Sequence, residues 1–85
     1  MEITILDTSH GPVYEQIRSK IAEQIASGSL ASGTELPRVA ALAQQLNVDR
    51  GEVSRAYFEL EQQEHVTVKK SKNFLGEATT SYFVK

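Results

Sequence analysis

The side chains of this sequence with the clearest binding chemistry are cations. Arg50 and Arg55 lie in a segment with helical periodicity, and Arg38 lies shortly before it. A second basic group near the C-terminus consists of three lysines, Lys69, Lys70 and Lys72. Guanidinium groups donate paired hydrogen bonds to guanine or to phosphate, and lysine side chains neutralise phosphate charge. These residue types favour the binding of a nucleic acid.

No catalytic or metal-binding arrangement accompanies these cations in the sequence. The chain contains no cysteine, which excludes disulfides, and its two histidines, His10 and His65, lack a suitably spaced carboxylate partner. It also lacks a glycine-rich phosphate loop that follows a strand. The sequence therefore predicts a protein that is not an enzyme and that needs no metal or other cofactor.

The arginines lie in or beside a pair of short helices, of which the first is predicted over residues 37–46. Pro37 has a fixed φ and no amide proton, so it suits the first turn of a helix. Four apolar residues then recur on one helical face, namely Val39, Leu42, Ala43 and Leu46. Asn47 readily adopts the left-handed conformation that ends a helix. The first helix is therefore expected to end there.

A second helix is predicted over residues 50–63, and its start signal is strong. Asp49 and Glu52 have the spacing of a capping box, in which the side chain of each residue accepts a hydrogen bond from the backbone amide of the other. The apolar face consists of Val53, Ala56, Tyr57 and Leu60. Two helices joined this closely must cross steeply, as in a helix-turn-helix that presents the start of its second helix to the major groove. Phe58 lies one position off the apolar face, so it is expected either at the core margin or in a protein contact.

The remaining elements follow from simpler patterns. Alternation over residues 2–7 predicts a short N-terminal strand, and apolar residues at every fourth position predict a helix over residues 12–27. Residues 65–70 and 81–85 also alternate and should pair as antiparallel strands. Residues 71–80 between them are expected to form a long loop, which would be a mobile tip or an irregular wing.

Motifs spread over nearly the whole chain form a pattern typical of one family. They are Tyr14-Glu15-Gln16-Ile17-Arg18, Ser27-Gly28-Ser29-Leu30, Leu36-Pro37, Leu42-Ala43, Arg50, Val53 and Ala56-Tyr57. This pattern resembles the winged-helix DNA-binding domain of GntR-family bacterial transcriptional regulators. The opening twelve residues are most similar to the small YtrA-like branch. The expected fold is therefore α+β and mainly α, a single winged helix-turn-helix domain over residues 1–85 with three helices, an N-terminal strand and a two-stranded C-terminal wing over residues 65–85.

The resemblance implies a function and a role for each cation. The expected function is that of a DNA-binding transcriptional regulator, which binds a palindromic operator as a homodimer because one module contacts only a half-site. The expected DNA contacts are Arg50, Ser54 and Arg55 in the groove, Gly51 at a close backbone approach, Arg38 on a phosphate, and Lys69, Lys70 and Lys72 on the flanking strand or minor groove. The lysines would otherwise serve as edge-strand charges that prevent sheet-to-sheet pairing.

Overall charge and several departures from the family pattern favour a different function. The formal net charge is −2, although DNA affinity comes largely from neutralised phosphates. The family usually has serine and arginine where this chain has Arg38 and Ala40, and it has serine, threonine and arginine at positions 49, 52 and 54. The alternative is a winged-helix module that has lost DNA binding and acts through protein contacts, as an adaptor, an anti-repressor or a regulatory subunit. A further alternative is that the chain is an N-terminal domain excised from a longer regulator.

Composition and hydropathy indicate the cellular compartment of the protein. Hydrophobic residues make up 40% and charged residues 24% of the sequence, as in ordinary globular proteins. No apolar run approaches the roughly 18 residues that a membrane helix requires. The N-terminus has no basic region followed by an apolar core, so it does not resemble an export signal. A cytoplasmic protein with no membrane partner is therefore predicted.

Overall fold

Three helices followed by a two-stranded antiparallel sheet make up the part of the chain that the computed structural model describes, residues 11–85. The elements are α1 (Val13–Ala26), α2 (Val39–Leu46), α3 (Arg50–Gln62), β1 (Val66–Lys72) and β2 (Ala78–Val84). The predicted fold class, mainly α with a β wing after a helix-turn-helix, is confirmed. The strand predicted over residues 2–7 lies outside the described residues. Within residues 11–85, no helix is long and apolar enough to cross a membrane.

The core lies between the three helices and the base of the sheet. The side chains that are at most 1% exposed are Ile17, Ile21, Leu42, Val53, Ala56, Tyr57 and Leu60. All of them belong to the apolar faces expected from helical periodicity. The first cross-strand pair of the wing, Val66 with Val84, is buried and covers the core on the side of the sheet. Burying each large apolar side chain contributes about 1.5–3 kcal/mol, so this cluster holds α3 in place against its neighbours.

The second helix begins later than expected, and the prediction that Pro37 lies in its first turn is wrong. Arg38 is the N-cap, with extended backbone (φ −64°, ψ 153°). The segment before it runs alongside β2, where the Leu36 amide donates to the Tyr82 carbonyl oxygen at 2.8 Å. The hydroxyl of Tyr57 donates to the Pro37 carbonyl oxygen at 2.7 Å. These tertiary hydrogen bonds hold the chain extended up to the N-cap.

The wing is more regular than expected, and the prediction of a loop over residues 71–80 is wrong. Both strands continue outward until Lys72 pairs with Ala78, which leaves a turn of residues 73–77. The hydroxyl groups of Ser71 and Thr79, which are cross-strand partners, lie 2.8 Å apart. Small polar residues that indicated a loop therefore pair across the sheet instead.

Stability should fall at alkaline pH because of Tyr57. Burial raises the pKa of Tyr57 well above its ordinary value of 10.0, and Tyr82 adds to the shift. The unfolded chain then ionises first, so the unfolding free energy is unaffected below pH 10 and falls above it, by up to about 1.4 kcal/mol per pH unit from this residue. Urea unfolding followed by circular dichroism between about pH 9 and 11 measures this slope. Tyr57→Phe should have a shallower slope, and equal slopes for the two proteins would contradict the assignment.

Candidate nucleic-acid interface

An open groove of about 620 Å³ lies between the first turns of α2 and α3 and the outer part of β2. Its lining residues are Val39, Ala40, Arg50, Gly51, Ser54, Ala78 and Thr80. The structure thus brings Arg50, Gly51 and Ser54, three of the residues predicted to face DNA, together on one side of α3. The other lining side chains are short, so the groove is wide at the point where the helix begins.

A capped turn fixes the start of α3 at this groove. Asn47 ends α2 in the left-handed conformation (φ 57°, ψ 48°), as its residue type predicted. Asp49 is the N-cap of α3, and its Oδ1 accepts a hydrogen bond from the Gly51 amide at 2.8 Å. A Cβ at position 51 would lie only 3.3 Å from that oxygen. A side chain at position 51 would therefore require the capping carboxylate to shift by a few tenths of an ångström, and the predicted close approach to DNA stays a prediction.

Glu52 does not complete the capping box, so that part of the prediction is wrong. Its Oε2 accepts a hydrogen bond from the backbone amide of Tyr14, in the first turn of α1, at 2.9 Å. The N-cap of α1 is Pro12, which supplies no side-chain cap, and the carboxylate of Glu52 takes that role from another helix. Glu52, one of the two acids at the start of α3, is therefore held against α1, and it is not among the groove-lining residues.

Arg55 does not lie at the groove, contrary to the sequence-based expectation. Its guanidinium carbon is 3.9 Å from the centre of the Tyr14 ring, and its Nε is 3.4 Å from Glu59 Oε2. Glu59 also forms an ion pair with Arg18 of α1. Position 55 lies about 100° around the helix from Ser54, so it faces α1 when Ser54 faces the groove. A phosphate contact by Arg55 would require it to leave these partners.

The alternation of side chains along β1 divides the three predicted lysines between the two faces of the wing. Lys70 pairs with Thr80 and Lys72 pairs with Ala78 across the sheet. Directly paired residues of antiparallel strands have side chains on the same face, and Thr80 and Ala78 line the groove. Lys70 and Lys72 are therefore on the groove side. Lys69 is on the opposite side, where its Nζ is 5.1 Å from the centre of the Phe83 ring.

Positive charge is concentrated around the groove despite the acidic total. Arg38 is exposed at the N-terminal end of α2, directly before the groove-lining Val39, and no side chain caps that helix. Among the described residues that line the groove itself, the one charged side chain is that of Arg50. Lys70 and Lys72 add two cations on the groove side of the wing, whereas Arg38 lines a separate pocket with Glu35 and the Asp49 carboxylate lies beside Gly51. The formal net charge of −2 therefore does not describe this face.

Phe58 is 58% exposed on α3 and is not among the residues packed on the core. The expected position at the core margin is therefore wrong, and the expected protein contact stays a prediction. Sequence reasoning also missed Ala78 and Thr80 as groove residues, because it assigned them to a loop. The pair of β-branched threonines at positions 79 and 80 is the signal that favoured a strand there.

The model of the gntR family of bacterial regulatory proteins matches residues 13–75, most of the chain. The chain belongs to the GntR family. This GntR chain is 44% identical over 50 residues to the HTH-type transcriptional regulator Rv1152 of Mycobacterium tuberculosis, covering 59% of the chain and 41% of that protein. It is 38% identical over 74 residues to MngR of Escherichia coli, the mannosyl-D-glycerate transport/metabolism system repressor, covering 86% of the chain and 31% of that protein.

Solved structures place the fold in the same GntR group. YtrA from Sulfolobus acidocaldarius, a GntR-family transcription factor, superposes with a TM-score of 0.81 and 33% identity, covering 99% of this chain and 81% of that one. A transcriptional antiterminator from Listeria monocytogenes gives a TM-score of 0.78 and 33% identity, covering 99% and 57%. The predicted resemblance to GntR and YtrA-like proteins is confirmed. These relatives are regulators, so the prediction that the chain is not an enzyme is also confirmed.

The GntR chain spans less than half the length of the two curated relatives. The part that the family model matches, residues 13–75, contains the helix-turn-helix and the groove residues of α2 and α3. It is therefore a DNA-binding domain of the type found in GntR transcriptional regulators.

Proposed function

We propose that this domain binds a palindromic operator as a homodimer in the cytoplasm and regulates transcription from it. The observation that carries the proposal is the groove. It joins Arg50, Gly51 and Ser54 at the start of the second helix of a helix-turn-helix to the wing face with Lys70 and Lys72. A helix-turn-helix binds a DNA duplex through this combination of an exposed helix start and flanking cations.

The dimensions of α3 suit the major groove. The helix has 13 residues and is about 20 Å long, and its exposed N-terminal residues line the groove. The major groove is about 12 Å wide and admits one helix, whose first residues then reach the base edges. Arg50 would bind guanine through its two acceptors, Ser54 would bind a base edge or a phosphate, and Arg38 would bind the backbone of the flanking strand.

A homodimer is proposed because one domain covers only half of a palindromic operator. A single helix-turn-helix module contacts one half-site, and two modules related by a twofold axis bind half-sites about 34–36 Å apart. A palindromic operator would match this symmetry. The named relatives are regulators and a repressor, and these names do not favour the alternative of a module that acts through protein contacts alone.

The proposal is tested by fluorescence anisotropy of the purified protein on labelled mixed-sequence duplex DNA at two salt concentrations. Binding should weaken steeply as salt rises, because counterions released from neutralised phosphates drive association. Selection from random duplexes should then yield an inverted repeat, and sedimentation of the complex should give two protein chains per duplex. Absence of binding at low salt would refute the proposal, and the protein-contact alternative would then be tested by a pull-down.

The wing lysines should contribute unequally to this binding. The double variant Lys70→Ala/Lys72→Ala removes two groove-side cations, so the slope of log affinity against log salt should become shallower by about 2. Lys69→Ala removes a cation of the same strand from the opposite face and is the matched control, with a slope close to that of the wild type. The slopes come from anisotropy titrations over a salt series. A larger loss in the Lys69 variant would contradict the assignment of faces.

A further inference from the structure

The tip of the wing carries two large apolar side chains with almost no cover. Phe74 is 95% exposed and Leu75 is 67% exposed, the two highest values among the large hydrophobic residues that the structure describes. Exposing two such neighbours has a cost in solubility, and neither contributes to the core. The family pattern ends close to this tip, since the family model matches only to residue 75.

Hydrogen bonds fix the conformation of the turn that carries these side chains. Asn73 Oδ1 accepts hydrogen bonds from the backbone amides of Leu75 and Glu77, both at 3.0 Å. The Gly76 amide donates to the Asn73 carbonyl oxygen at 2.9 Å, and Gly76 has a positive φ of 81° that favours glycine. Three backbone amides of the turn are thus tied to one asparagine. The two apolar side chains extend from a defined hairpin end.

The hairpin that carries the tip points away from the core and is basic on its groove side. The last wing pair with a side chain packed on the core is Val68 with Tyr82, and four further residue pairs follow it outward to Lys72 with Ala78. At about 3.3 Å per residue this distance is roughly 13 Å, enough to reach past a phosphate backbone. The cations next to the tip on the groove side, Lys70 and Lys72, match the charge of that backbone.

We propose that Phe74 and Leu75 form an apolar wedge that enters the minor groove beside the half-site and partly unstacks one base step. The proposal rests on the proposed DNA-binding function and adds to it a deformation of the DNA. Apolar side chains inserted from the minor groove unstack base steps and kink the duplex toward the major groove. Pyrimidine–purine steps unstack most easily, so the wedge would favour such a step next to the base contacts of α3.

A tryptophan reporter tests the wedge directly, because the sequence contains no tryptophan. In Phe74→Trp the single indole should be quenched when mixed-sequence duplex DNA is added, and its exposure to acrylamide should decrease. Phe58→Trp places the same reporter at another exposed phenylalanine, on α3 outside the groove, and its emission should not respond. Equal responses of the two reporters would overturn the wedge.

Removal of the wedge gives the second measurement. Phe74→Ser/Leu75→Ser should lower DNA affinity about tenfold, as expected for one lost base–aromatic stack, while the salt slope stays unchanged because the lysines remain. Energy transfer between dyes at the two duplex ends should show a bend with the wild type and a straighter duplex with the variant. Because these residues are outside the core, the variant should keep the wild-type melting curve.

The outcomes separate this inference from the function on which it rests. If the wild type binds DNA but the indole of the Phe74→Trp variant does not respond and the duplex stays straight, the wedge is wrong and the DNA-binding function stands. If the wild type does not bind DNA, the wedge and the proposed DNA-binding function are both wrong. If the emission of the Phe74→Trp variant shifts with protein concentration in the absence of DNA, the tip is covered by a second copy of the chain, and the wedge is again wrong.

Discussion

Arg50→Ala is expected to lower affinity for the selected operator by about 5- to 150-fold, the range that corresponds to one bidentate arginine–guanine contact of about 1–3 kcal/mol. Arg50 is the first residue of α3 and lines the groove, and its side chain makes no hydrogen bond or ion pair with other described residues. A cation at a helix N-terminus is slightly disfavoured by the helix dipole. Its removal should therefore leave the free energy of unfolding unchanged or slightly higher, so that lost binding reports a lost DNA contact.

The matched control for this prediction is Arg55→Ala. Both residues are exposed arginines of α3, but the Arg55 guanidinium stacks on Tyr14 and pairs with Glu59 instead of lining the groove. The control should weaken the contact between α1 and α3 and lower the melting temperature, with little effect on the preference for operator over mixed-sequence DNA. Anisotropy titrations on both duplexes, with a thermal melt of each variant, measure these effects. Equal losses of operator preference in the two variants would show that Arg50 has no special role.

Tyr57→Ala is expected to cost about 3–5 kcal/mol of unfolding free energy, the usual range for truncation of a buried aromatic residue. The side chain is completely buried, and its ring packs edge-on against Tyr82 with 4.7 Å between ring centres. Its hydroxyl also donates to the Pro37 carbonyl oxygen, so one residue connects α3, the extended segment before α2 and the wing. Domains have only about 5–15 kcal/mol of stability, so the loss would remove much of the total.

Tyr57→Phe separates the packing of the ring from its hydrogen bond. The ring contacts remain, and the Pro37 carbonyl oxygen loses its donor, which should cost about 1–3 kcal/mol. Urea unfolding of the three proteins, followed by circular dichroism at neutral pH, gives both differences. If the alanine variant were destabilised no more than the phenylalanine variant, the ring would not contribute as the structure indicates.

Sequence reasoning predicts the parts of this fold that depend on neighbours along the chain. The apolar faces of the helices and the left-handed end of α2 at Asn47 follow from local spacing, and the structure contains them. The later start of α2 could not be predicted, because it depends on hydrogen bonds from Leu36 to Tyr82 and from Tyr57 to Pro37. Such partners are far apart in sequence, and periodicity carries no information about them.

The candidate site also has parts that local sequence predicts and parts that depend on distant partners. The groove positions of Arg50 and Ser54 follow from a capped helix start with known periodicity. The position of Arg55 depends on Tyr14, which lies on another helix, so helix geometry alone did not identify its contact. The division of the lysines between two faces depends on the strand register, which could not be assigned while residues 71–80 were taken as a loop. Register requires the pairing partner to be known.

The hydrogen bond from Tyr14 to Glu52 makes two positions of the chain interdependent in evolution and in engineering. A shorter side chain at position 52, such as threonine, would not reach the first turn of α1 that the Glu52 carboxylate contacts. A substitution that made the start of α3 less acidic would leave that turn without its acceptor, at a cost of about 0.5–2 kcal/mol. A serine or aspartate in place of Pro12 would offer that turn a cap of its own and should recover part of this free energy.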